Sequence, residues 1–368
     1  MSISPQTSLR VLHIGPDREA RGGIASVLRV MGESSALFEN VGVELRFVGT
    51  TLSGGRSLLP KAMVFLRAIW CLVIALARSE IDIVHIHSAL KGSLVRKTLF
   101  AGICCLFRKR YVFQIHNGGF FERYSKMAGT SRLIVRLALR RAERVIVLSD
   151  HMRERAVEGG ILSADRCAIV YNGIADPLHG HVPLMRRDHG AVRIVFLGLI
   201  SEAKGIGSLL SAVENLADMT GEFFVTVYGT GEIASFEKEL MSRRLNEVIS
   251  YGGWIDGEEK QAVLASADIF VLPSRSEGFS VAVLEAMAHG LAIVSTAIPG
   301  IVDAVRNDIE AMLVAPDDAA ALATAIRDLL GNSELRVKLG AAARRRYLEC
   351  FTVEKMACDL SEIYTSCV

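Results

Sequence analysis

The chain has 368 residues, 51% of them hydrophobic and 22% charged, which excludes a disordered chain and leaves room for two cores rather than one. Its seven cysteines show neither C-x-x-C spacing nor a disulfide ladder, so free thiols in a reducing compartment are expected. The net charge of +2 conceals an asymmetry: residues 1–185 hold 25 Lys and Arg against 14 Asp and Glu, and residues 186–368 hold 17 against 26. A basic half and an acidic half point to two domains with different partners.

The start, "MSISPQTSLRVLHIG", lacks a basic opening and a long apolar run, so no cleavable leader is expected there. Its apolar part reads as a first strand. Further strands are predicted at "ELRFVG", "DIVHIHS", "RYVFQIH", "RVIVLS" and "CAIVYNG", each separated from the next by helical spacing of apolar residues. Two apolar runs in this half, residues 62–77 and 98–107, fall short of the roughly 20 residues a spanning helix needs and are expected to be core helices. The second run is bracketed by Arg96, Lys97 and by Arg108, Lys109, Arg110, which keeps a peripheral contact with an anionic membrane open. No aromatic-basic interleaving supports a nucleic-acid interface.

After a polar stretch near residues 175–190, which reads as a linker, strands resume at "VRIVFLG" and continue through "FFVTVYG", "VISYGGW", "ADIFVLPS", "LAIVST" and "AMLVAP". Strands alternating with helices predict an α/β protein of two doubly wound parallel sheets, with ligands beyond the carboxyl ends of the strands and the site in the cleft between the halves.

One segment of the second half carries the strongest chemical signal. "PSRSEGFSVAVLEAMAHG", residues 273–290, reads as strand, turn and helix. The free N–H groups of the first helical turn suit an anion, and Glu277 and Glu285 flank that position. A retaining hydrolase needs its carboxylates roughly 5 Å apart across one bond; these two are spaced to meet opposite ends of an elongated ligand such as a nucleotide sugar. Lys204 lies just before a helix, where a cation is unfavourable unless an anion joins it. Gly22 and Gly23 open another helix, but not as G-x-G-x-x-G, so no dinucleotide fingerprint is present. His85 and His87 share one strand face and His116 ends a neighbouring strand; no carboxylate or cysteine is spaced to complete a metal site, and none is expected.

Taken in order, the Gly-Gly loop at 22–23, "DIVHIHS", "IHNGG", "RAERVIVLSDHMRE", "IVYNGI", "FLGLISEAKG", the E-x7-E segment "SEGFSVAVLEAMAHGLAIVST" and "PGIVDAV" resemble the retaining glycosyltransferases of family 4 over nearly the whole chain. That resemblance implies the GT-B fold: two Rossmann-like domains facing across a cleft, residues 1–178 binding the acceptor and residues 186–350 binding the nucleotide-sugar donor. A terminal helix at about 351–368 would return to the first domain. It also implies roles. Glu285 would hold the donor ribose and Glu277 the transferred sugar, with the backbone of Gly278, Phe279 and Ser280 near sugar and phosphate. Lys204 would neutralise the diphosphate, Gly22 and Gly23 would let the first-domain loop approach it, and His116 would lie beside the sugar. No cofactor or metal is implied beyond a UDP- or GDP-sugar as co-substrate.

The sequence departs from the family at Leu199, where members commonly carry arginine; Arg275 and Arg21 are the bases that could substitute. The expected function is retaining transfer of a sugar from a nucleotide sugar to a lipid-linked or other glycan acceptor in bacterial surface-polysaccharide assembly. The expected location is the cytoplasm or the inner face of its membrane. Two rivals stand beside it, a GT-B-like sugar-nucleotide epimerase and a non-catalytic nucleotide-sugar-binding subunit.

Overall fold

All twelve strands expected from the sequence form, and they divide into two parallel sheets. A computed structural model of the chain describes residues 8–20, 22–51, 58–88, 92–181 and 190–368, without the side chains of residues 58, 92, 93 and 95. Arg21 and residues 182–189 of the polar stretch near 175–190 lie outside the described residues. The chain forms two compact units, one running to Ala175 and joined by Thr352–Val368, the other spanning Asp176–Phe351.

The first unit holds β1 (Leu9–Gly15), β2 (Val43–Gly49), β3 (Ile83–Ser88), β4 (Tyr111–Ile115), β5 (Arg144–Val147) and β6 (Cys167–Ile169), in the order β2-β1-β3-β4-β5-β6. Every residue of β3 and β4 is buried, as continuous apolar runs covered by helices on both faces must be. The order reverses between β1 and β3, which pair with His13 opposite His85. Because side chains alternate along a strand, His13, His85 and His87 then share one face of the sheet.

The second unit holds β7 (Val192–Leu197), β8 (Phe223–Tyr228), β9 (Ile249–Gly253), β10 (Ile269–Leu272), β11 (Ala292–Thr296) and β12 (Met312–Val314), in the order β12-β11-β10-β7-β8-β9. This is the doubly wound order 3-2-1-4-5-6 counted within the unit, with its switch point between β7 and β10.

One expectation fails in an informative way. The apolar run at 62–77 belongs to a helix of 20 residues, Leu58–Ala77. Ala68, Leu72 and Leu76 face the sheet, whereas Leu59, Met63, Leu66 and Trp70 face outward, Trp70 with 66% of its surface exposed. It is a half-covered helix, not a core helix. By length and composition it would suffice to cross a membrane, yet only 17% of its apolar window is buried.

The terminal helix, Val353–Ser366, packs on the first unit through Val353, Met356, Ala357, Leu360 and Tyr364, a stripe at helical spacing. Its entry is fixed where the Val353 amide donates to the Ile174 carbonyl at 3.0 Å. A β-carbon at Gly173 would meet the Thr352 carbonyl oxygen at 2.4 Å and the Met356 β-carbon at 2.9 Å. Gly173→Ala should therefore destabilise the first unit by about 1–3 kcal/mol, as overpacking does. Urea denaturation checks this, and an unchanged midpoint would contradict the docking of the terminal segment.

Candidate active site

At the switch point of the second unit, the loops that follow β7 and β10 leave adjacent strands and meet. The contact is backbone on backbone: the Arg275 amide donates to the Ala203 carbonyl at 3.0 Å. Gly205 has φ +75°, and a β-carbon there would sit 1.9 Å from the Pro273 carbonyl oxygen, so no other residue permits this approach. The consequence is chemical. Lys204 Nζ reaches Glu277 Oε1 at 2.5 Å, and the Ser274 hydroxyl donates to the same oxygen at 2.8 Å. Two residues 73 positions apart, each singled out by the sequence for a different end of a ligand, form one part-buried ion pair.

From this pair the loop passes Gly278 and Phe279 into the helix Val281–Ala288, whose N-cap is Ser280. Phe279 is buried, its ring 5.4 Å from that of Phe351. The Ser280 hydroxyl accepts the Val283 amide at 3.5 Å, a long bond that leaves the earlier first-turn N–H groups to other partners. Glu285 lies on this helix and pairs with Lys260 Nζ at 2.5 Å. Lys260 belongs to the helix Gly257–Ser266 and was not apparent from the sequence, where it sits in an ordinary charged run.

Leu199 is 52% exposed and supplies no charge. Arg275 is engaged elsewhere, held by Glu202 and Asp317 at 2.5 Å each; Arg21 lies outside the described residues. A recess of ≈ 470 Å³ opens on the far side of Gly205, but its walls carry Glu202, Glu232, Glu239 and Asp317 around two arginines. That acidic lining does not suit a diphosphate.

The remaining sequence-predicted residues, Gly22, Gly23 and His116, belong to the first unit. Gly22 caps the helix Gly23–Glu33 with φ +129° and makes no side-chain cap. His116 follows β4, and its Nε2 lies 2.9 Å from His87 Nδ1. His87 Nε2 lies 2.9 Å from His13 Nδ1, and His85 Nδ1 lies 2.6 Å from the hydroxyl of Tyr364. His13, His85 and His87 bring ring nitrogens within 4.8 Å of one another, and both ring nitrogens of His13 and of His87 also meet neighbours in this chain. Lys97, read from the sequence as a surface flank, is instead only 2% exposed; its Nζ donates to the Ile14 carbonyl and to Thr50 Oγ1.

Two family models match the chain, one described as glycosyl transferases group 1 over residues 186–346, the other as glycosyltransferase family 4 over residues 22–176. The chain belongs to the family 4 type of glycosyltransferase. A 41.2 kDa protein in the cps region of Klebsiella pneumoniae is 24% identical to it, over 84% of this chain and 87% of that protein. An amylovoran biosynthesis glycosyltransferase of Erwinia amylovora is 30% identical over 50% of this chain and 46% of its own length. Among solved structures, sucrose-phosphate synthase from Thermosynechococcus elongatus superposes with a TM-score of 0.76 at 19% identity, covering 97% of this chain and 98% of that one. Anabaena HepE in complex with UDP and glucose gives 0.74 at 16% identity, over 97% and 100%. These likenesses establish the GT-B fold of this glycosyltransferase, and its relatives do not favour an epimerase.

Burial pushes His13 and His116 down to about 3 and His85 and His87 well below the ordinary histidine range. A depressed folded-state pKa contributes stability that is complete above the unfolded value of 6.5 and is lost as pH falls toward the folded one. Each buried histidine should thus add a slope approaching 1.4 kcal/mol per pH unit, about pH 6 to 5 and below. Lys97, pushed down to about 7 by burial and by Arg96, is protonated in both states there and adds none. Urea unfolding of the glycosyltransferase at pH 6.5, 6.0, 5.5 and 5.0 should show this steep loss, reduced by one histidine's share in His87→Leu. A flat profile would mean that the cluster titrates freely.

Proposed function

We propose that this glycosyltransferase moves a sugar from a nucleotide sugar, a UDP- or GDP-sugar, to a hydroxyl of a lipid-linked glycan during assembly of a bacterial surface polysaccharide. Configuration at the transferred carbon is retained and no metal takes part. The observation that carries the reading is the convergence of Lys204, Glu277 and the start of the helix Val281–Ala288 at one switch point. Support for the donor class comes from HepE, whose structure holds UDP and glucose, and for the pathway from the amylovoran relative.

In this reading Glu285 takes the ribose hydroxyls, and the backbone of Gly278 through Ser280, leading into the helix, takes phosphate and sugar. The incoming diphosphate draws Lys204, and the sugar hydroxyls replace it on Glu277. Gly22 and Gly23 leave the first unit's loop free of side chains near the diphosphate, and His116 contacts the sugar. The acceptor oxygen bonds to the anomeric carbon as the bond to the diphosphate breaks, and a departing phosphate oxygen takes the acceptor's proton. Charge grows on the leaving group, and Lys204 with the helix amides stabilises it there without reorganising.

Glu285→Ala and Lys204→Ala should each weaken nucleoside-diphosphate binding by about 10- to 150-fold, the worth of a charged hydrogen bond, while circular dichroism is unchanged. A thermal-shift panel of UDP-, GDP-, ADP- and dTDP-sugars supplies the ligand, since a donor at a hundred times its Kd stabilises by about 2.7 kcal/mol. Wild-type affinity in both variants would sink the assignment.

A lipid-linked acceptor requires access to the inner face of the cytoplasmic membrane, and we assign that contact to the first unit. The helices Leu58–Ala77, Gly92–Leu106 and Gly129–Arg141 contain no Asp or Glu. They adjoin through Phe65 on Phe100 and through packing of the second on the third. Outward they present Leu66, Trp70, Leu106, Ile134 and Leu137 among exposed Arg67, Arg132 and Arg136. Exposed apolar side chains on helices that carry arginines and no acids suit an anionic bilayer. Vesicles rich in anionic lipid should shift Trp70 emission to the blue and sediment with the protein at low salt, and Leu66→Glu should abolish both. Absence of sedimentation of the wild type at low salt would remove the membrane from the account.

A further inference from the structure

Four buried polar groups and the half-buried His116 form a line. His116 Nε2 meets His87 Nδ1 at 2.9 Å, His87 Nε2 meets His13 Nδ1 at 2.9 Å, His13 Nε2 meets Tyr364 Oη at 3.4 Å, and Tyr364 Oη meets His85 Nδ1 at 2.6 Å. At one end His85 Nε2 is buried and has no partner among the described residues. At the other end, His116 Nδ1 is the ring nitrogen that the line does not use.

A neutral imidazole carries one N–H and one lone pair. Burial keeps all four rings neutral. A ring that accepts on one nitrogen must then donate from the other, whereas the tyrosine oxygen has one proton to give and can accept from both neighbours. His85 Nε2 is buried with no partner among the described residues, and an orphaned buried N–H is the costlier choice there, so the His85 proton sits on Nδ1 and is donated to Tyr364 Oη. With its oxygen accepting from His85, Tyr364 gives its proton to His13 Nε2 and the direction passes through His87 to His116; the alternative, in which both rings donate to Tyr364, leaves a hydroxyl proton unpaired in a dry site.

We propose that this line locks His116 into a single tautomer, making Tyr364, His13 and His87 positioning residues for the group that meets the transferred sugar. The inference rests on the role given to His116 above, and extends it to the terminal helix. Tyr364 arrives from a segment 248 residues beyond His116 in sequence. The terminal helix therefore bears on the chemistry, because it supplies the hydroxyl that links His85 to His13 by hydrogen bonds. His116 then accepts at Nε2 and presents a fixed N–H donor at Nδ1. A sugar hydroxyl meeting a fixed partner gains orientation that an exchanging ring does not give.

Tautomers are read directly by ¹⁵N NMR of the full-length protein labelled at histidine, because protonated and unprotonated ring nitrogens resonate far apart. His116, His87 and His13 should each show one tautomer, all in the same direction along the line. Tyr364→Phe keeps the ring and removes the hydroxyl; His13→Leu breaks the line at its middle and guards against a folding failure of the first variant. In both, the His116 nitrogens should move toward the average of two tautomers. Turnover with the donor found by thermal shift should fall about five- to twentyfold, the share of one hydrogen bond, with donor Kd within about twofold of wild type. His116 signals identical in the wild type and both variants would overturn the proposal. Released tautomers with unchanged turnover would overturn the positioning role, and if His116→Ala also kept its rate, the placement of His116 at the sugar would fail with it. The donor assignment, tested at Lys204 and Glu285, stands or falls separately.

Discussion

Where the loop after β7 meets the end of β10, the Pro273 carbonyl fills the space that a β-carbon at position 205 would need. That single steric condition lets two loops touch backbone to backbone, and most of the second unit's chemistry follows from it. With the loops in contact, Lys204 falls on Glu277, and the turn that carries Glu277 opens directly into a helix start. A doubly wound sheet supplies such a junction at its switch point because neighbouring strands send their helices to opposite faces. The glycine makes the junction tight enough for one cation and one carboxylate to serve a single ligand.

Both glutamates of the E-x7-E segment are already paired with lysines, Glu277 with Lys204 and Glu285 with Lys260. The two pairs are part-buried, so each carboxylate keeps a partner that offsets its loss of water. A ligand bearing negative phosphate and neutral hydroxyls matches both halves of such a pair: phosphate for the lysine, hydroxyls for the carboxylate. The site is thus charged in detail and nearly neutral in sum, which suits a ligand that must leave with more negative charge than it brought.

The strands of both sheets were legible in the sequence because fully covered parallel strands are short apolar runs between helical patterns, and each of the twelve runs was distinct. Glu277 and Lys204 stood out in the sequence because each sits in a loop between a strand end and a helix start, and Glu285 because it follows Glu277 at eight residues within the next helix. What escaped was set by pairing across the chain. His13 lies in an unremarkable apolar strand and becomes part of a cluster only through its register with His85. Tyr364 and Lys260 reach their partners from helices distant in sequence. Lys97 looked like a surface flank until the fold placed it under the Ile14 carbonyl. The helix Leu58–Ala77 misled for a related reason: its two faces are equally apolar, so spacing could not say that one of them is left uncovered.

The most direct test of the central claim, that the second unit's switch point holds the donor, is amide hydrogen exchange read by mass spectrometry with and without the nucleoside diphosphate of the donor. The account predicts slowed exchange in peptides covering residues 198–206 and 273–288, the two loops and the helix start. Slowed exchange confined to other segments of the second unit, with these two unaltered at saturating ligand, would contradict it.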